Sequence, residues 1–139
     1  QALDEILPYV TIALPGGPEE SQILLGIEQP QAIIEYFWQA GVETVALKWG
    51  MTGSWIGERQ SGTIQLVPPL AGIAARDTTG AGDAFNGAFL HGLCRGMSSL
   101  DAARLGMISA ALKVRGRGAV ASLPSREEVY AIFAAQSGP

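Results

Sequence analysis

The stretch Asp77-Thr78-Thr79-Gly80-Ala81-Gly82-Asp83 gathers carboxylates, hydroxyls and glycines just ahead of an apolar run. Its glycines let backbone pass close to a ligand. The amides of Gly80, Ala81, Gly82 and Asp83 fall at a helix start, where unpaired N–H donors and the positive end of the helix dipole make an anion site. A carboxylate placed among those donors can take a proton from a hydroxyl as its oxygen attacks. Anion cradle and adjacent carboxylate together are the equipment for phosphoryl transfer to an alcohol. The same residues admit a purely structural reading: Asp83 caps the helix, Thr78 and Thr79 satisfy turn backbone, and the glycines serve packing. Two better-known phosphate motifs are absent from the sequence. Phe85 stands where a dinucleotide G-x-G-x-x-G needs glycine, and no G-x-x-x-x-G-K-[ST] occurs.

The elements that must position this stretch follow from apolar periodicity and breakers. Ala2 to Tyr9 has a short amphipathic pattern that Pro8 disturbs, and so abrupt a start in an element implies sequence upstream. Val10 to Leu14 reads as a buried strand stopped by Pro15-Gly16-Gly17-Pro18, and Glu19 to Gly26 as a brief helix or turn. Pro30 opens a helix to Ala40, with Ile33, Ile34, Phe37 and Trp38 on one face and Gly41 closing it. Val42 to Trp49 is a second buried strand, so a parallel crossover unit is expected, with ligands beyond the strands' carboxyl ends. Ser54 to Ile56 and Thr63 to Val67 read as short antiparallel strands. After Asp83 comes a helix with Phe85, Ala88, Phe89 and Leu93 on one side, ending at Gly96. Ser98 with Asp101, and Ser125 with Glu128, are capping-box patterns for two further helices, separated by a loop at Arg115-Gly116-Arg117-Gly118.

Composition bounds the rest. The 139 residues are 47% apolar and 16% charged, which excludes disorder as the main reading. Lys and Arg number 9 against 13 Asp and Glu, a net charge of −4, so a broad cationic surface for nucleic acid or anionic membrane is not expected. Cys94 is the only cysteine: no internal disulfide or Cys/His zinc set is available, and it reads as a small buried apolar residue. No apolar run reaches the roughly 18 residues of a membrane span, and the first residues are unlike a signal peptide, so a cytoplasmic location is expected. Trp38, Trp49 and Trp55 read as core residues rather than a sugar platform. His91 reads as a solvated or packed helix residue.

The segment Asp77 to Phe85 resembles the C-terminal signature of the ribokinase-like (PfkB) carbohydrate kinases. The resemblance extends in order through the strand ending at Pro15, Lys48-x-Gly50-x-x-Gly53, the signature itself and Gly116-x-Gly118-Ala119. It spans the whole chain but only the C-terminal portion, under half, of a family chain. It implies an α/β fold: the C-terminal part of a ribokinase-like three-layer α/β/α arrangement with a mostly parallel sheet. Residues 1–139 then form a single nucleotide-binding and catalytic portion, and the N-terminal sugar-binding and lid part lies outside it.

Residue by residue, the resemblance implies that Asp83 is the catalytic base, and that Gly80, Ala81 and Gly82 with the Asp83 amide form the anion hole for the transferring phosphoryl group. Gly50 and Gly53 match the turn along the nucleotide, with Lys48 on the strand before it. Met107 and Ala110, with the rest of 107–111, and Gly116 and Gly118 match walls of the adenine pocket. Many family members bind a monovalent cation such as K⁺; the matching positions are Asp77, Thr79, Lys113, Gly116, Gly118 and Ser122, several through backbone carbonyls. For Asp77 a turn-forming role stays open beside this one.

The chain departs from the family pattern twice. Where an N-x-x-E motif often follows the first strand, Gly16 replaces Asn while Glu19 keeps the acid, which leaves Glu19 to order Mg²⁺ through water or to be simply an exposed acid at a helix start. The Asn often found near adenine corresponds to Gly106. The activity implied is transfer of the γ-phosphate of Mg·ATP to a sugar or sugar-acid hydroxyl. The Leu14-Pro15-Gly16 turn and the 115–119 loop look most like 2-keto-3-deoxygluconate kinases. A ribokinase or fructokinase type, and a non-catalytic nucleotide-binding module of the same fold, are the alternatives. The portion alone is expected to be inactive, and the complete protein to dimerise through the N-terminal lid.

Overall fold

The computed structural model describes residues 2–136 and divides into two compact units, the first ending at Leu66 and the second beginning at Val67. Unit 1 carries α1 (Ala2–Ile6), a one-turn 3-10 segment (Leu7–Tyr9), β1 (Ile12–Ala13), α2 (Glu19–Leu25), α3 (Pro30–Gln39), β2 (Thr44–Lys48) and β3 (Ser54–Glu58). β4 (Thr63–Val67) ends across the boundary. The four strands form one sheet in the order β1-β2-β3-β4.

β1 pairs parallel with β2, Ile12 against Thr44 and Ala13 against Val45, and the connection between them runs through α2 and α3. This is the expected crossover. β2 pairs antiparallel with β3 from Thr44–Glu58 to Lys48–Ser54, so the sheet within this chain is mixed. β1 is shorter than the Val10–Leu14 expected. Pro15 has no N–H for the ladder, yet its carbonyl still accepts from the Lys48 amide at 3.0 Å and the Gly17 amide donates to Lys48 at 2.9 Å. The pairing resumes beyond it as a single bridge, Gly16 to Lys48.

The core of unit 1 forms where α3 covers the sheet: Ile33, Ile34 and Phe37, at helical spacing, meet Val45 and Leu47 of β2, with Val42 and Leu7 completing the cluster. A Cβ on Gly57 would run into the Ile34 side chain and the Trp38 ring, so glycine there sets how closely α3 lies on β3. Trp38, Trp49 and Trp55 all pack against this cluster, as core residues do.

Unit 2 is helical: α4 (Ala81–Cys94), α5 (Ser99–Lys113) and α6 (Arg126–Gln136). α5 is buried on more than one face because α4 packs against it on one side and α6 on another. Its Gly106 lies on Phe85 of α4, where a Cβ would stand 2.7 Å from the ring. Leu105, Ile108 and Leu112 meet Val129 of α6. The box at Ser125 forms in full, the Glu128 amide donating to Ser125 Oγ at 3.2 Å and the Ser125 amide to Glu128 Oε2 at 2.9 Å; at Ser98 only half forms, the Asp101 amide donating to Ser98 Oγ at 3.1 Å while the Asp101 carboxylate takes the Ser98 hydroxyl at 3.0 Å. Cys94 corrects the sequence reading: it is exposed, because it falls on the solvent side of the last turn of α4 rather than on the stripe of Phe85 and Phe89. His91 is packed as expected, its Nε2 3.1 Å from the Tyr130 hydroxyl. Among the described residues no helix is long and apolar enough to cross a membrane.

Candidate active site

Unit 2 holds the signature. α4 begins at Ala81 with Gly80 as its N-cap, and no side chain caps it. Gly80 has φ 78°, a left-handed conformation that turns the chain into the helix and that a side chain would strain. A Cβ there would also stand 3.3 Å from the Ala119 backbone. The Ala81 amide is used internally, donating to the Thr78 carbonyl at 3.1 Å. Among the described residues, the amides of Gly80, Gly82 and Asp83 have no acceptor. The geometry therefore leaves three donors at the positive end of a 14-residue helix for an anion, with Ala81 as the exception. Asp83 is not the cap: it sits inside the first turn with its side chain exposed.

Asp83 opens onto a cavity of about 370 Å³ shared with Gly80, Ala84, Ser109, Val120 and Pro124. A hydroxyl entering there would meet the Asp83 carboxylate beside the free amides. Apart from Asp83 and Ser109, the side chains lining this cavity are apolar.

The positions matched to a cation site also converge, and the Asp77, Lys113 and Gly118 oxygens among them already accept hydrogen bonds. Asp77 Oδ2 accepts from the Gly118 amide at 2.8 Å and Oδ1 from the Thr79 amide at 3.0 Å. The bonds from Gly118 and then Thr79 pull the Asp77 carboxyl down to about 2. The turn-forming role of Asp77 is thus realised, and the same side chain ties the 77–80 turn to the 115–118 loop. The Gly118 carbonyl accepts from Ser122 Oγ at 2.7 Å, and the Lys113 carbonyl from the Gly116 amide at 3.2 Å. Lys113, fully buried, turns its ammonium onto the Asp77 carbonyl at 2.9 Å. A cationic group thus already holds one of the oxygens of this donor set, and a K⁺ ion bound at the same carbonyl would lie beside it. Among the described residues no three or more His, Cys, Asp or Glu side chains gather where they could hold a metal ion.

Of the adenine-pocket positions, Met107 lines a separate cavity of about 290 Å³ with Val67, Pro68, Pro69, Leu70 and Phe133. Neither Gly116 nor Gly118 reaches that cavity. Gly106 is buried against Phe85 and faces no cavity, so the position that presents a side chain to open space is its neighbour Met107.

In unit 1, Lys48 ends β2 half-buried, with Nζ donating to the Leu14 carbonyl at 2.7 Å, and so ties the ends of β1 and β2 together. Gly50 to Thr52 form one turn of 3-10 helix, closed by the Trp49 amide donating to Gly53 at 2.8 Å. Gly50 and Gly53 thus bracket a turn at the carboxyl end of β2, where the sequence placed it. Glu19 is exposed at the start of α2.

Sequence reasoning missed two features of unit 2. The first is the Lys113 side chain, which it treated only as a source of a carbonyl; the spacing 102, 105/106, 109, 113 along one helix face was the available signal. The second is the Val67–Leu70 segment opposite Met107, which the double proline marked only as a break.

Residues 1–126 match the model of the pfkB family carbohydrate kinases. The chain is 34% identical over 130 residues to ribokinase of Haemophilus influenzae, covering 90% of this chain and 41% of that one. It is 31% identical over 121 residues to 2-dehydro-3-deoxygluconokinase of Bacillus subtilis, covering 86% of this chain and 36% of that one. Arabidopsis thaliana ribokinase, solved with ribose and ATP, superposes with a TM-score of 0.83 at 29% identity over 94% of this chain and 43% of that one. The fold is therefore ribokinase-like α/β. The chain spans about two fifths of the length of these relatives. Ribokinases and 2-dehydro-3-deoxygluconokinases match it about equally well.

Proposed function

Because the chain belongs to the pfkB family of carbohydrate kinases, we propose that the full-length protein transfers the γ-phosphate of ATP to a hydroxyl of a sugar or sugar acid, with 2-keto-3-deoxygluconate as the favoured acceptor. One observation carries the reading: three unfilled amides at the start of α4 stand beside the exposed Asp83 carboxylate. The carboxylate accepts the proton of the acceptor hydroxyl, and the freed oxygen forms the new bond to the γ-phosphorus as the bond to the β-phosphate oxygen breaks. The products are a sugar phosphate and ADP, and the proton rests on Asp83 until solvent takes it. The amides of Gly80, Gly82 and Asp83 meet the charge on the transferring group, and being fixed by the helix they need no reorganisation. Mg²⁺ bound to the triphosphate would supply charge neutralisation there. Met107 offers an apolar wall for the base. The Leu14-Pro15-Gly16 turn and the 115–119 loop support the sugar-acid preference as marks of resemblance, not as contacts to the sugar. The same reading puts the protein in the cytoplasm, where ATP is.

The test is the full-length protein and its Asp83→Asn variant, assayed for ADP release on 2-keto-3-deoxygluconate, ribose and fructose. Loss of the base should lower kcat by about 10²- to 10⁴-fold with ATP affinity nearly unchanged. Wild-type turnover in the variant would remove Asp83 from the role, and a higher kcat/KM on ribose or fructose would overturn the acceptor preference.

A further inference from the structure

Lys113 is the last residue of α5 and has no solvent exposure. A buried ammonium is unfavourable unless it is paired and hydrogen-bonded. Among the described residues, its hydrogen-bond partner is the backbone carbonyl of Asp77 at 2.9 Å. The carboxylate of that same Asp77 feels the ammonium's charge through space, while its two oxygens hold the Thr79 and Gly118 amides. Ammonium, carboxylate and two loops thus form one electrically neutral cluster at the Asp77–Gly80 turn, buried at Lys113 and open to solvent at the Asp77 carboxylate. A second cation on the same carbonyl would face the ammonium, at a set where the two Asp77 oxygens and the Gly118 and Lys113 carbonyls each already accept a hydrogen bond.

We propose that the Lys113 ammonium replaces the monovalent cation in this chain, holding the Asp77–Gly80 turn in place from within, so that the protein neither binds nor needs K⁺ there. Lys113 is a positioning residue: it touches the turn and leaves the reacting atoms to Asp83 and the amides. For turnover this rests on the kinase reading given above; for cation binding it stands on the geometry alone.

The experiment uses the full-length protein with K⁺ exchanged for tetramethylammonium at constant ionic strength, reading both Tm and rate. For the wild type, both should be the same in the two salts. A saturable rise of Tm or rate with K⁺ would overturn the proposal. Lys113→Ala empties the centre of the cluster: rate should fall about a hundredfold, as expected when a reactive loop shifts by an ångström, and K⁺ should now raise Tm and restore part of the rate. An alanine variant that folds and stays fully active without K⁺ would also overturn it. If the alanine variant does not fold, Lys113→Gln keeps an N–H donor for the Asp77 carbonyl without the charge. A rate loss of about tenfold or more is then expected, and an unchanged rate counts against the ammonium. Should no sugar be turned over at all, the kinase reading fails while the dependence of Tm on K⁺ still decides the cation question.

Discussion

At the scale of single residues, Asp77 and Asp83 show how one loop gives two carboxylates opposite tasks. Asp83 is exposed among free donors, where a base must be. Asp77 has both oxygens committed to backbone amides, and a carboxylate so held favours its charged form. Its pKa in the folded chain, about 2, lies below the ordinary value of 3.8. A depressed carboxyl stabilises the fold above the unfolded pKa and loses that contribution as pH falls through the folded one. Asp77→Asn retains a single side-chain oxygen for two amides and should melt lower than wild type at neutral pH. The gap in Tm should stay constant down to about pH 4 and close as pH approaches about 2, following the bounds of the two pKa values. Melting curves over that range check it. A gap that persists unchanged at the acid end would show that the charge of Asp77 is not what fastens the two loops.

At the scale of elements, the α4–α5 contact decides whether the proposed anion hole keeps its place, because α4 carries Gly80 to Asp83 at its start. Gly106 and Gly87 form a controlled pair. Exchanging a helical glycine for alanine ordinarily gains about 1 kcal/mol. At Gly87 a Cβ meets nothing within 4 Å, so Gly87→Ala should raise Tm. At Gly106 the Cβ would stand 2.7 and 2.8 Å from ring atoms of Phe85 and 3.1 Å from its carbonyl oxygen. Phe85 is 1% exposed and stacked on Phe89, so it has nowhere to go. Overpacking of this kind costs about 1–3 kcal/mol, which exceeds the propensity gain, so Gly106→Ala should melt lower. Thermal unfolding of the two variants beside wild type tests both signs, and equal shifts would mean the interface yields. This is also where the limits of the sequence are physical. Helices α3 to α6 were legible because periodicity, Pro30, Gly41 and two capping boxes are local signals. The free amides at the start of α4 were legible because glycine and acid at a helix start are local signals. Cys94 and Lys113 were not: both lie at helix ends, where burial depends on which distant loop arrives. Only the approach of Asp77 turns a terminal lysine into a sealed ammonium. β1 was overextended because a proline interrupts a strand without ending its pairing, and only the partner, Lys48, shows that.

At the scale of the whole molecule, the net charge of −4 and the backbone origin of the proposed anion hole belong together: in the proposed kinase, phosphate would be met by fixed amides and would need no basic surface. The same economy limits what these residues can select. A sugar presents several hydroxyls, and discriminating among sugars takes side chains that pair with them, since a site rejects an analogue strongly only when its own polar groups are left unpaired. The cavity at Asp83 offers Ser109 and Asp83 itself against walls of Ala84, Ala88, Ala119, Val120, Leu123 and Pro124. That is enough to take one proton and too little to read a sugar. With the chain spanning 41% of the H. influenzae ribokinase it matches, acceptor choice in the proposed kinase belongs to sequence outside these residues. A chimera tests this: the N-terminal portion of Arabidopsis thaliana ribokinase joined to residues 1–139, with ATP binding and a cooperative melt as evidence of folding. It should phosphorylate ribose and leave 2-keto-3-deoxygluconate untouched, and Asp83→Asn should silence it. Turnover of 2-keto-3-deoxygluconate by the chimera would place acceptor selection within these residues instead. The Leu14-Pro15-Gly16 turn and the 115–119 loop would then be the segments to exchange next.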